Sequence, residues 1–223
     1  MQTRQKLIHQ ERARSTAYTR LADAFRQPGP DLPKALDELE AALGRIESDT
    51  FETAAGLKRC YADHSAPCSL EVDYAELFVG PFIVAAPPYG SVYLEDKRQL
   101  MGDSTIDVRR HYLSLGLDLS PDFKEAPDHI CAELEFMYVL ISQGVEAIDA
   151  GDYDQLAEIV GHQQVFLEKH LAAWIPAFTA KIIDHARTDY YRILGELTRH
   201  FITEEMAVVT DLTVPQLEVS AAR

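Results

Sequence analysis

Apolar residues recur along Ile130, Leu134, Met137, Ile141, Val145 and Ile148 at steps of four, three, four, four and three. That spacing lays one greasy stripe along a single helix face, sustained for about five turns and stopped at Gly151. The same period governs most of the chain. Residues 3 to 27 place Leu7, Ala13, Ala17 and Leu21, with Ala24 or Phe25, opposite Arg and Gln, until Q-P-G-P breaks the run. Shorter helices are expected over 32–47, 50–64 and 70–79, then one capped by Ser104 and ended by Gly116. Residues 153 to 171 repeat the stripe, Pro176 marks an expected break after Trp174, and two further helices reach about Val209. No alternating strand of useful length and no internal repeat is present, so the expected class is all-α.

Only residues 80 to 104, G-P-F-I-V-A-A-P-P-Y-G-S-V-Y-L-E-D-K-R-Q-L-M-G-D-S, keep no period. An aperiodic stretch of that length inside a folded chain is usually functional or mobile. Phe82, Ile83, Val84, Tyr89, Val92, Tyr93 and Leu94 are too apolar for a solvated linker, so an ordered loop packed on the helices is expected, some aromatics accessible. A polar connection follows Gly116. The expected organisation is a single domain with possible subdomains 1–116, including the loop, and 127–215, hinged near 116–127.

The chain of 223 residues is long enough for one large core. Its net charge of −15 repels nucleic acid and anionic lipid and favours neutral or cationic partners. No run approaches the length of a membrane span, so stable membrane insertion is not expected. The first residues, M-Q-T-R-Q-K-L-I-H-Q-E-R-A-R, lack the apolar core of a secretory leader, and a cytoplasmic location is expected. Cys60, Cys68 and Cys131 are odd in number and lack C-x-x-C spacing, which fits reduced thiols better than disulfides or zinc.

Pro127, Asp128 and His129 sit at the mouth of the long stripe. Adjacent residues do not face each other on a helix, so Asp128 and His129 form no acid–base dyad alone. No serine or cysteine is locally placed as a nucleophile. His129 and Glu133, four apart, share a face and leave open a metal-dependent hydrolase. Yet H-E-x-x-H is absent, and His162, His170, His185 and His200 are scattered singly. The plainer reading puts Pro127 in the first helical turn and Asp128 at the positive end of the helix dipole. It leaves His129 unexplained. Neither a catalytic residue nor a metal or other cofactor is expected.

Five motifs in order are more specific than any one. They are Y-A-E-L-F-V-G-P from Tyr74, A-P-P-Y-G-S-V-Y to Tyr93, L-M-G-D-S to Ser104, A-P-D-H-I with E-L-E-F-M to Met137, and F-L-E-K-H-L-A-A-W-I-P-A-F to Phe178. Together they resemble the TorD/DmsD family of cytoplasmic chaperones for molybdenum-containing redox enzymes exported by the twin-arginine pathway. The resemblance implies about ten helices, no catalysis, and two partners: a twin-arginine leader peptide and the catalytic subunit of a molybdopterin-dependent oxidoreductase. An alternative within it is a chaperone of a non-exported, nitrate-reductase-type subunit. On the matching motifs it implies leader binding by Pro88, Tyr89, Gly90, Ser91 and Tyr93, by Leu100, Gly102 and Ser104, and by Pro127, Asp128 and His129. DmsD-like members carry tryptophan where this chain has Tyr89, which trims the aromatic surface. No G-x-x-x-x-G-K-[ST] supports a nucleotide site. A leader joins two arginines to a short apolar segment, so it calls for a carboxylate, Asp128 or a neighbour, beside a groove lined by Phe82 and the Tyr89–Tyr93 loop.

Overall fold

The computed structural model describes residues 2–63, 69–80, 84–95 and 101–211, and over these the periodic segments form helices. In order they are α1 (Gln2–Ala24), α2 (Leu32–Arg45), α3 (Phe51–Ala62), α4 (Leu70–Tyr74), α5 (Ser91–Leu94), α6 (Asp103–Ser114), α7 (Ile130–Ala150), α8 (Tyr153–Phe166), α9 (Ala172–His185) and α10 (Asp189–Asp211). Two π-helical turns, Ala75–Val79 and Leu167–Leu171, extend α4 and join α8 to α9. Among the described residues there is no strand, and no helix is long and apolar enough to cross a membrane. Leu100, Phe82, Ile83 and Cys68 lie outside the described residues.

The predicted stripe makes α7 the spine. Ile130, Leu134, Met137, Ile141 and Ile148 are at most 1% exposed, and Cys131, Phe136 and Leu140 join them. Each such side chain contributes about 1.5–3 kcal/mol by leaving water, before conformational entropy is subtracted. α1 packs on α7 and α2, α8 on α7, and α10 on α9 and α3. One continuous core therefore joins both halves of the chain in a single helical domain. Polar groups fasten the seams. Cys131 donates its thiol to the Ala22 carbonyl at 3.4 Å, tying α7 to α1. The fully buried Asp73 of α4 accepts from the Arg187 and Thr188 amides and the Thr188 hydroxyl, satisfying donors where α10 begins.

Three local expectations are corrected. α6 starts at Asp103, and the oxygen that satisfies its first turn comes from Glu95 rather than Ser104. Glu95 accepts from the Ser104 amide at 2.9 Å and its hydroxyl at 2.8 Å. α7 starts at Ile130, so Pro127 stands in the turn before the helix rather than in its first turn. Pro176 does not end a helix. It lies inside α9, where its missing N–H costs one bond near the helix start, just after the widened π-helical turn.

Candidate functional site

The aperiodic loop and the mouth of α7 are pinned to each other by backbone. Pro88 accepts from the Ile130 amide at 2.9 Å, and Asp128 accepts from the Gly90 amide at 2.9 Å, forming an isolated antiparallel bridge between Tyr89 and His129. The Asp128 carboxylate, 1% exposed, accepts from the Ser91 amide at 2.7 Å. Such a charge-assisted bond is worth about 1.5–3 kcal/mol, and it also satisfies a donor of the short helix α5. Tyr112 of α6 donates its hydroxyl to the Pro127 carbonyl at 2.9 Å, closing the turn from the other side.

His129, which the sequence left unexplained, is the N-cap of α7. Its Nδ1 accepts from the Cys131 amide at 3.2 Å, a role only the neutral ring can fill. Burial pushes its pKa down to about 4, against the smaller opposing pull of Glu125 and Asp128. Glu133 faces away from solvent beneath the same turn. Trp174 of α9 donates its indole N–H to Glu133 Oε2 at 2.9 Å, and Tyr93 stacks on the Trp174 ring at 5.6 Å. Burial holds the Glu133 carboxyl well above the usual carboxylate range, with a further push from Asp128. His129 and Glu133 are thus engaged in capping and core bonding. Gly90 fits between these groups because a Cβ there would stand 3.1 Å from the Trp174 nitrogen and 3.3 Å from Glu133 Oε1.

In front of this latch lies an open cleft of about 590 Å³. Pro88, Tyr89 and His129 line it, with Val92 of the same loop, as do Tyr74, Phe78, Val79, Val84 and Pro87, which the sequence reading did not place there. Val79 is 60% exposed on its rim. The acid at the lip is Glu125, exposed and bonded by the Tyr89 hydroxyl at 2.5 Å. Among the described residues no cation pairs with it. Burial, then this bond and the Glu125 charge, push the Tyr89 phenol up from its ordinary range. A second hollow, about 380 Å³ beside Leu117 and Phe123, is lined by Glu135, paired with Arg26, by Asp118, paired with Arg109, and by Asp122.

The predicted residues therefore divide. Pro88, Tyr89 and His129 face the cleft; Gly90, Ser91, Pro127 and Asp128 are buried behind it as its wall. Tyr93 packs inward on Trp174 and Phe178. Gly102 and Ser104 hold the exit of the loop. A Cβ at Gly102 would lie 2.6 Å from the Glu95 carboxyl carbon, so glycine lets that carboxylate reach α6. Among the described residues lining this cleft, the acid placed to meet a cation is Glu125. It stood just ahead of the P-D-H motif, and only folding shows that it shares a cleft with Tyr89.

Residues 28–180 match the family model described as nitrate reductase delta subunit. The chain is 34% identical over 145 residues to chaperone protein TorD of Psychrobacter sp. (strain PRwf-1), covering 64% of this chain and 63% of that one. It is 29% identical to the Tat proofreading chaperone DmsD of Salmonella typhi, over 69% of this chain and 67% of that protein. These matches span about two thirds of the length of the curated relatives. A crystal structure from Archaeoglobus fulgidus, described as that of a putative redox enzyme maturation protein, has a similar fold, with a TM-score of 0.50 at 19% identity over 86% of this chain and 93% of that chain. The chain belongs to the nitrate reductase delta subunit family, in which its curated relatives are TorD and DmsD chaperones.

Proposed function

We propose that this chain is a cytoplasmic maturation chaperone without catalytic activity, and that its cleft holds the leader of a molybdoenzyme catalytic subunit exported by the twin-arginine route. By occupying the leader it would delay export until the molybdenum cofactor is in place. The observation that supports this reading is an open apolar cleft with one unneutralised carboxylate, Glu125, at its lip. An apolar peptide segment fits the Tyr74, Phe78 and Val84 lining, and an arginine of the same peptide fits Glu125. Micromolar affinity needs roughly 8 kcal/mol net, within reach of a handful of buried Leu, Phe or Ala side chains. The net charge of −15 draws in a cationic leader, and salt weakens the encounter.

Calorimetry with a synthetic leader peptide tests the reading. Tyr89→Ala removes the half-buried aromatic wall and is expected to weaken binding about 10- to 100-fold. Glu125→Gln keeps the shape but removes the charge; affinity falls less, and its dependence on salt flattens. If both folded variants bind as the wild type does, this cleft is not the leader site. The family description favours a second reading, in which the chaperone grips the body of a nitrate-reductase-type subunit. Pull-down of a candidate catalytic subunit with and without its leader separates the two. Capture that survives leader deletion supports the second.

A further inference from the structure

Where α6 meets the π-helical turn between α8 and α9, three side chains of metal-binding type meet. Asp107 and His111 are four apart on α6 and share a face; His170 comes from the π-helical turn between α8 and α9. His170 Nε2 lies 3.4 Å from Asp107 Oδ2, and His111 Nε2 lies 3.9 Å from the same oxygen. The three donor atoms all fall within 4.8 Å of one another. We propose that Asp107, His111 and His170 form a site for a divalent first-row transition-metal ion of the zinc class.

Several independent features support the assignment. A tetrahedral ion with arms of about 2.0–2.1 Å needs neighbouring donors roughly 3.3 Å apart, and His170 already stands 3.4 Å from Asp107; His111, 3.9 Å from the same oxygen, must move inward by side-chain rotation to complete the set. His170 is 2% exposed, and neither of its ring nitrogens has a hydrogen-bond partner. At 3.4 Å its contact with Asp107 is longer than a good hydrogen bond, so the pair alone leaves a buried polar ring unsatisfied. Phe166 packs against both rings, at 5.6 Å from His111 and 4.9 Å from His170, and fixes their planes. The π-helical turn adds a residue per turn and rotates His170 away from its place in a regular helix; such turns cluster at functional sites.

The set opens on a hollow lined by His162 and Glu158, which leaves room for a water as the fourth ligand. Lys169 and Arg110 line the same hollow and offset Asp107 and Glu158. Bulk negative charge is thus not the attraction, and two imidazoles with one carboxylate select zinc, cobalt or nickel over magnesium or calcium. A bound ion would staple α6, which begins where the aperiodic loop ends, to the junction of α8 and α9. The site is separate from the cleft and does not depend on the peptide-binding reading.

The test uses the untagged full chain after dialysis against a chelator. Zinc titrated by calorimetry is expected to bind at one equivalent and to raise the thermal midpoint by several degrees, while magnesium and calcium do neither. Cobalt should give the intense visible bands of a low-symmetry nitrogen and oxygen site. Asp107→Asn and His111→Ala sit on the accessible side of the cluster and should keep the native far-ultraviolet spectrum. Each should bind zinc at least about tenfold more weakly, the loss that removing even an indirect support of a metal ligand produces. His170→Gln is a third variant, read only if its spectrum is native. The proposal is overturned if the wild type takes up no stoichiometric zinc. It is overturned equally if Asp107→Asn and His111→Ala bind zinc like the wild type, or if magnesium competes on equal terms.

Discussion

Glu133 shows how one buried residue can set a pH dependence that its sequence position does not announce. It lies on the apolar side of α7, hydrogen-bonded by Trp174, with its carboxyl pKa raised well above 4.5 by burial. The folded state therefore keeps a proton that the unfolded chain gives up above about pH 4.5. Stability contributed by the protonated form is complete below that pH and is lost progressively as the pH rises toward the folded value. Glu133→Gln keeps an acceptor for the Trp174 indole and removes the ionisation. Urea denaturation of the two proteins near pH 5 and near pH 8 should show the variant gaining on the wild type by about 1 kcal/mol or more across that interval. A gap that stays constant with pH would mean that Glu133 is not the group that titrates. Asp128 is the complementary case, since its identity was legible and its role was not. An acid at a helix mouth reads as a partner for a cation, yet folding turns it inward onto the Ser91 amide and leaves Glu125 to face the cleft.

Among the elements, α7 depends on a cap of unusual chemistry. His129 accepts from the Cys131 amide through a neutral nitrogen, and its pKa falls from 6.5 to about 4 in the fold. Here the sign is opposite to that of Glu133: the unfolded chain binds the proton first as pH falls. The cap's contribution is present above about pH 6.5 and is lost on the way down to about 4. His129→Asn supplies a capping oxygen that does not titrate, so its stability at pH 7 should lie within about 1 kcal/mol of the wild type. Its loss on going to pH 5 should be smaller, by urea midpoints at both values. An equal acid loss in both proteins would assign the dependence to His111 and His170, which share the same direction. The helices themselves were legible because burial imposes a period that survives without neighbours, as from Ile130 to Ile148. Their ends were not. The Ser104 cap failed because the donor-satisfying oxygen comes from Glu95, across a segment with no period to align it. Pro176 misled because the π-helical turn at 167–171, which has no signature in apolar spacing, adjusts the helix just ahead of it.

At the scale of the whole molecule, the first helix is locked to the last by a pair separated by 191 positions. Arg14 of α1 donates from Nε to Glu205 of α10 at 2.7 Å, and both side chains are at most 4% exposed. Beside them Tyr18 and Phe201 meet edge to face at 5.0 Å, so charge and aromatic packing close the same seam. No spacing rule could have paired them, because each reads alone as an ordinary polar residue on an amphipathic helix. Taking two ions out of water costs about as much as their attraction returns, so the pair specifies the seam more than it stabilises it. Removing only Glu205 leaves a buried guanidinium, with Glu11 at 3.1 Å as its remaining acid. Glu205→Ala is therefore expected to cost about 3–5 kcal/mol in urea denaturation, whereas Arg14→Met combined with Glu205→Leu should recover most of that loss. If the single variant is no less stable than the double, the guanidinium reaches water in the folded state and the seam rests on Tyr18 and Phe201 alone.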